Sequence, residues 1–302
     1  MAKRWGGPRR AIALRRFAAF LAARMAAAMR LVTRSVPVGE VLFARSVIAA
    51  IVIGAFYSFR GQFRTALHTT RPAGHLIRCL SGAISTGGYI AALARLPLVN
   101  VMVIVYSTPV ITVILAACFL KERVRLFRWF ATCVGFLGIL VMVSPYVEGQ
   151  WALLSVSGIG MSFALVSAFT GALSSIQIRR LTETEKTPSI VFYFYLACAF
   201  AGALTLPFFS VMPSASEWGL LVFVGVIGVF AQLATTESLR FAGVSTAVFF
   251  DYTIIFWSFF IGYFAFGELP GRIVYFGGIL IVGSAIFIIY REQLLKKRAA
   301  PG

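Results

Sequence analysis

Asp251 is the only aspartate among 302 residues, and it stands inside the apolar run VSTAVFFDYTIIFWSFFIGYFAFGELP (244–270). At ~1.5 Å of rise per residue it lies roughly 12 Å along a helix that begins near Gly243. An acid at that depth in a bilayer costs on the order of 2.5–3.5 kcal/mol to insert, so a helix facing lipid would not carry it. Two roles fit an inward-facing carboxyl. One is a hydrogen bond to neighbouring hydroxyls that holds helices together; the other is a substrate and proton site. The second is chemically available because desolvation moves a carboxyl toward proton exchange near neutral pH.

Arg45 is the complementary oddity, roughly 10 Å into a span that starts near Val38 from the opposite face. Two opposite charges entering from opposite faces can approach near the midplane, where Arg45 would hold a carboxylate and Asp251 an ammonium. The other reading of Arg45 is a side chain that snorkels outward or pairs with Glu40. Tyr106, Ser107 and Thr108 precede Pro109, whose missing N–H frees a carbonyl around Val105. A kink with freed backbone beside hydroxyls suits a cavity wall, and so do Tyr252 and Thr253 at the corresponding place in a second, similar segment. Ser85, Thr86, Tyr89, Gln232, Thr235 and Thr236 add polar atoms on other spans, although Ser and Thr often only bond back to their own helix. The candidate substrate set is therefore Arg45, Tyr89, Tyr106, Ser107, Thr108, Gln232, Asp251 and Tyr252, with Asp251 also the candidate for proton coupling.

Catalytic chemistry is poorly supplied. There is no GxxxxGK[ST] phosphate loop, so this chain is not expected to hydrolyse ATP. Phosphotransfer or prenyl transfer needs paired acids on Mg²⁺, and there is one aspartate. His68 and His75 both lie in or beside one loop, where a hydrolytic base or zinc site has no companions. Cys79, Cys118, Cys133 and Cys198 are scattered singly through apolar segments and read as small packing residues. The expectation is a protein that is not an enzyme and needs no cofactor or metal.

The elements that must position these residues follow from composition. The chain is 60% hydrophobic and 13% charged, with a mean hydropathy of +0.89. A soluble domain has no use for that much apolar surface. The apolar residues come in blocks of about 20, the length that crosses a ~30 Å hydrocarbon core. Ten blocks can be marked, at 12–32, 38–59, 74–94, 98–120, 126–144, 151–177, 189–210, 217–238, 243–266 and 271–290. The first is the weakest because it carries Arg15, Arg16, Arg24 and Arg30, and its insertion relies on snorkelling or on partner helices. A formal charge of +18 would suggest nucleic acid in a soluble protein. Here 22 lysines and arginines fall on one side of the ten-span arrangement and 4 on the other. That bias puts both termini in the cytoplasm and accounts for the charge without nucleic acid. A basic arm (1–11) precedes the first span, and a basic cytoplasmic tail (291–302) follows the last.

The halves of the chain resemble each other. ALARLPLVNVMVIVYSTPVITVILAACFLKE (92–122) aligns without a gap on SLRFAGVSTAVFFDYTIIFWSFFIGYFAFGE (238–268), with Tyr106 on Tyr252 and Glu122 on Glu268. Five spans per copy is an odd number, so the second copy is inverted, a common build of secondary transporters. With LPLVNVMVIVYSTPVI, FLKERV and the Gly-rich GFLGILVMVSP in the first half, and FFDYTIIFWSFFIGYFAFGELPGRIVYFGGILIVGSAIFIIYRE in the second, the chain resembles the EamA-type drug/metabolite transporters over nearly its full length. The resemblance implies an all-α membrane protein of ten transmembrane helices, in two inverted five-helix repeats (12–144 and 151–290) around a central cavity. It also implies a small-molecule substrate, since members carry amino acids, riboflavin, S-adenosylmethionine, opine metallophores and other metabolites, many of them outward. The number of arginines in the first span departs from the family pattern.

The expected function is secondary active transport of a small polar or zwitterionic metabolite across the inner membrane, with export favoured by the family habit and Asp251 as the coupling acid. The rival is a membrane partner or sensory subunit that transports nothing. The topology is directly testable. Reporter fusions after Ser210 are expected to read external and those after Tyr290 cytoplasmic; a cytoplasmic reading at Ser210 removes the ten-span arrangement.

Overall fold

Inside a bilayer the backbone must satisfy its own hydrogen bonds, so apolar blocks of this length become helices. The computed structural model describes residues 7–64, 68–105, 107, 108, 111, 115, 126–144, 155–241, 253–268 and 271–299. Among those residues there are ten helices and no strand. In chain order they are α1 (Gly7–Val32), α2 (Val38–Phe59), α3 (Pro72–Leu93), α4 (Leu98–Val105), α5 (Leu126–Val143), α6 (Val156–Leu181), α7 (Thr187–Ala203), α8 (Ala215–Phe241), α9 (Thr253–Phe266) and α10 (Arg272–Ala299). Each falls on one of the apolar blocks. Val38–Phe59, Pro72–Leu93, Val156–Leu181 and Ala215–Ser238 are long and apolar enough to cross a membrane by length and composition.

Local sequence sets the helix starts. Proline opens α3 and α7, where its absent N–H costs nothing. Ser155 caps α6 by accepting the Gly158 N–H at 3.0 Å. Among the described residues, two ends differ most from the apolar blocks. α7 stops at Ala203 rather than near 210, because Pro207 disfavours helical backbone just before it and the Thr205 hydroxyl donates back to the Gly202 carbonyl at 2.7 Å. α10 runs on to Ala299, taking up most of the segment that reads as a basic tail.

α3 states the environment most clearly. Its apolar residues Leu76, Ile77, Leu80 and Ile84 are 50–60% exposed, while His75, Arg78 and Ser81 are buried. A helix with its polar face inward and its apolar face outward is matched to lipid, not to water.

The bundle is assembled from close helix pairs: α3 on α6, α1 on α8, α5 on α10 and α2 on α7. The α2–α7 contact is backbone against backbone. A Cβ added at Gly202 would sit 2.6 Å from the Phe43 nitrogen and 2.8 Å from the Gly39 carbonyl oxygen, so the helices touch only because Gly202 has none. The arginines of α1 are accounted for individually. Arg15 is buried and donates to the Thr235 carbonyl at 3.3 Å and the Ser238 hydroxyl at 3.2 Å, fixing α1 along α8. Arg24 is exposed and stacks on Phe20 at 4.2 Å, which meets Trp257 of α9 edge-on at 5.5 Å. Arg30 gives two hydrogen bonds to Glu268, from Nε at 3.1 Å and Nη2 at 2.9 Å, and a third to the Leu93 carbonyl. The other Glu268 oxygen accepts the Leu98 N–H at 2.8 Å, so one carboxylate joins α1, the α3–α4 corner and the end of α9. Gly267, with φ +64°, makes the turn that presents it.

Gly202→Val is expected to destabilise the purified protein by about 1–3 kcal/mol through forced separation of α2 and α7. Gly54→Ala, where the nearest atoms lie at 3.7 Å and 3.8 Å, should leave the thermal midpoint in detergent unchanged or raised. Equal midpoints for the two variants would mean that α2 and α7 are not in backbone contact.

Candidate functional site

Arg45 sits two turns into α2, where that helix is packed between α7 and α8 and close to α1. It is 5% exposed, so its charge lies in the bundle and not at its surface. Nη1 is 3.8 Å from the Met29 sulfur, the guanidinium carbon is 5.9 Å from the Tyr195 ring centroid, and Nε has no hydrogen-bond partner. Glu40 does not neutralise it, since that carboxylate accepts the Val211 N–H at 3.0 Å.

A second arginine shares this interior. Arg78 is 3% exposed and lies 4.2 Å from the Phe194 ring centroid, with Nε and Nη1 both unpartnered. It folds over Gly82 of its own helix, where a Cβ would fall 1.9 Å from Nη1. Phe194 and Tyr195 are adjacent on α7 with ring centroids 5.1 Å apart, so the two guanidiniums flank one aromatic pair. Both act electrostatically on Tyr195 and on Cys198 one turn further along, and Thr86 of α3 faces Cys198. The Tyr195 hydroxyl is buried and lies beside the Arg45 guanidinium. It looks onto bare backbone of α8, where a Cβ at Gly228 would lie 3.3 Å from that hydroxyl and 3.7 Å from Arg45 Nη2. Among the described residues no carboxylate is within ion-pair distance of either arginine.

The other sequence-derived candidates divide. Tyr89 is half-buried on α3 with its hydroxyl 3.9 Å from the Met102 sulfur. Ser107 is buried and donates to the Ile104 carbonyl at 2.6 Å, and Thr108 donates to the Val105 carbonyl and, across to α6, to the Ala168 carbonyl at 3.3 Å. The carbonyl expected to be free ahead of Pro109 thus meets a hydroxyl of its own helix. Ser85 donates to the Ser167 carbonyl at 2.9 Å, so α3, α4 and α6 meet through a chain of hydroxyl bonds. Gln232 is half-buried on α8, one turn beyond Gly228. Tyr106, Pro109, Asp251 and Tyr252 lie outside the described residues.

Sequence reasoning missed Arg78 and Tyr195. Arg78 reads as a loop charge by its closeness to the start of a span; it lies about 9 Å into the helix opened by Pro72, and its inward direction shows only in the structure. Tyr195 sits in an aromatic run, VFYFYL, with nothing to separate it from lipid-facing rings.

Outside the bundle core, Glu185 in the α6–α7 loop fastens the start of α3. One oxygen accepts the Thr70 N–H at 2.8 Å, the Thr70 hydroxyl at 2.9 Å, the Arg71 N–H at 3.1 Å and the Thr69 hydroxyl at 3.2 Å. His75 Nε2 lies 3.8 Å from the other oxygen. Burial alone would push the Glu185 carboxyl up, but the hydrogen bonds from Thr70 and Thr69, with His75 nearby, outweigh it and hold the group below its ordinary value.

Four helices long and apolar enough to cross a membrane, with Arg15, Arg45 and Arg78 buried behind exposed apolar side chains, define an integral membrane protein. The chain belongs to the EamA-like transporter family, whose model matches twice, at residues 10–144 and 158–290. It is similar to the pseudopaline exporter CntI of Pseudomonas aeruginosa, 29% identical over 271 residues that cover 89% of this chain and 92% of that one. It is also similar to the S-adenosylmethionine uptake transporter of Rickettsia prowazekii (26% over 254 residues, 84% of this chain and 83% of that one). A third relative is the riboflavin transporter of Vibrio cholerae (26% over 264 residues, 87% and 86%). A solved crystal structure matches the fold with a TM-score of 0.68 at 23% identity, covering 94% of this chain and 98% of that one.

A carboxyl held below its ordinary value stabilises the fold above the carboxylate range, and that contribution disappears as pH falls through its folded pKa. Glu185→Gln should cost roughly 1.5–3 kcal/mol near neutral pH. It should also flatten the fall in thermal midpoint between about pH 6 and about pH 3. An unchanged acid profile in the variant would remove Glu185 from the acid response.

Proposed function

We propose that this protein is a secondary transporter of a small zwitterionic metabolite. The observation that carries the reading is the Arg45 guanidinium, buried among α1, α2, α7 and α8 with Nε unpartnered. Arginine cannot shed its proton in a protein, so a charge buried with no carboxylate beside it among the described residues calls for an anion to meet it. The names of the relatives, an exporter and uptake transporters of metabolites, support cargo rather than a structural counter-ion. In this reading Arg45 takes the carboxylate of the cargo, Asp251 takes its ammonium and exchanges the coupling proton, and Tyr89, Tyr106, Ser107, Thr108, Gln232 and Tyr252 line the path.

The mechanism is alternating access between two inverted repeats, each spanning the inner membrane five times, with both termini cytoplasmic and export the favoured direction. Helix packing supports the two-repeat reading. Exchanging each helix for the one five places away turns the α3–α6 pair into α8–α1 and the α2–α8 pair into α7–α3, and returns α2–α7 and α5–α10 to themselves. That is the behaviour of a pseudo-two-fold axis running through the centre of the bundle.

The test is proteoliposome transport of a mixture of amino-acid-derived metabolites under an imposed pH gradient. The native protein should concentrate at least one component. Asp251→Asn should insert and bind yet lose gradient-driven accumulation, and Asp251→Glu should keep part of it. Normal accumulation by Asp251→Asn would make Asp251 a packing residue. No accumulation of any component by the native protein would favour the role of a non-transporting partner or sensory subunit.

A further inference from the structure

The carboxylate assigned above to Arg45 leaves Arg78 unexplained. Arg78 is as buried as Arg45, has two unpartnered nitrogens, and lies over Phe194, the ring next to the Tyr195 that Arg45 approaches. Stacking on Phe194 offsets part of the cost of burying a guanidinium but leaves its in-plane donors empty. Truncation or deprotonation cannot relieve them, and every described carboxylate with a recorded partner is engaged elsewhere. Glu40 is on Val211, Glu185 on the α3 start, Glu217 on Ser35 and Ser214, Glu237 on Thr187, and Glu268 on Arg30.

Burying one unpaired guanidinium destabilises a fold, and burying two beside the same rings adds their mutual repulsion. We infer that Arg45 and Arg78, with the buried Tyr195 hydroxyl beside Arg45, form a two-point anion site, and that the cargo carries two acidic groups. This rests on the transport reading and narrows its zwitterionic cargo to one with a second acidic group. The groups around the site fit that class. Arg45 comes from α2, Arg78 and Thr86 from α3, Tyr195 and Cys198 from α7, and the bare Gly228 backbone from α8, so four helices converge on it. Each guanidinium presents planar donors suited to a carboxylate, and the phenol can donate a further hydrogen bond to either. An anion bound there joins α2 and α3 of the first half to α7 and α8 of the second, so its arrival changes how strongly the halves hold together.

The experiment measures thermal unfolding of the full chain in detergent, at constant ionic strength, with butyrate or with succinate, glutarate, adipate and pimelate. At least one diacid should raise the midpoint more than butyrate does at the same carboxylate concentration. Arg45→Gln and Arg78→Gln should each weaken that diacid at least about 30-fold, while Arg78→Lys keeps an intermediate affinity. Cooperative unfolding of the Gln variants separates lost binding from lost folding. Butyrate matching every diacid, or diacid binding that survives Arg78→Gln, overturns the two-point site. A parallel arm compares acids inside and outside cells producing the native chain or Arg78→Gln. If the metabolite redistributed by the native chain has fewer than two acidic groups, the diacid inference fails and transport stands. If diacids bind in detergent and nothing is redistributed in cells, transport fails and the site stands.

Discussion

In hydrocarbon a polar atom has no water to turn to, and this constraint governs every charged side chain of the bundle. Each buried charge must find a partner in the chain or in something the chain binds. Arg15 and Arg30 meet the requirement within the protein, Arg15 on α8 and Arg30 on Glu268. Those contacts let a first helix so rich in arginine pack into the bundle, with Ala23, Ala26 and Met29 as its buried seam. Arg45 and Arg78 do not meet it within the described residues, and the proposed cargo site rests on that contrast with Arg15 and Arg30.

The architecture around the unmet pair is ordinary helix packing at short range. Gly202 lets α2 and α7 touch along their backbones, which brings the base of Arg45 against the helix that carries Tyr195. Gly228 leaves open the patch of α8 that the Tyr195 hydroxyl and Arg45 Nη2 both approach. A side chain at Gly228 would place a carbon 3.3 Å from the Tyr195 hydroxyl and 3.7 Å from Arg45 Nη2, against the groups that approach that patch.

Much of this was legible in the sequence, for physical reasons that also mark where legibility stops. Apolar blocks of membrane length and proline punctuation locate the helices because both are local properties. Arg45 could be singled out because it lies deep in its span from either end. Arg78 could not, because a tally of basic residues treats any arginine near a span's end as a loop charge, and only the stack on Phe194 reveals that it turned inward. The Arg30–Glu268 pair is equally invisible, since its partners are 238 residues apart and meet only through the crossing of α1, α4 and α9. The hydroxyls of Ser107 and Thr108 illustrate the opposite limit. Their presence beside Pro109 is plain in the sequence, but whether they face a cavity or their own carbonyls is decided by rotamer and packing.

The continuation of α10 to Ala299 has a consequence for how the molecule sits in its membrane. A helix of 28 residues is about 42 Å long, roughly 12 Å more than a bilayer's hydrocarbon core of about 30 Å. The surplus is stiff, and Arg291, Lys296, Lys297 and Arg298 are spaced along it. A cationic helical segment is costly to sink into lipid tails and is drawn to anionic headgroups, which limits how deep the helix that carries it can lie. A floppy tail of the same composition would attract the same lipids without limiting that depth.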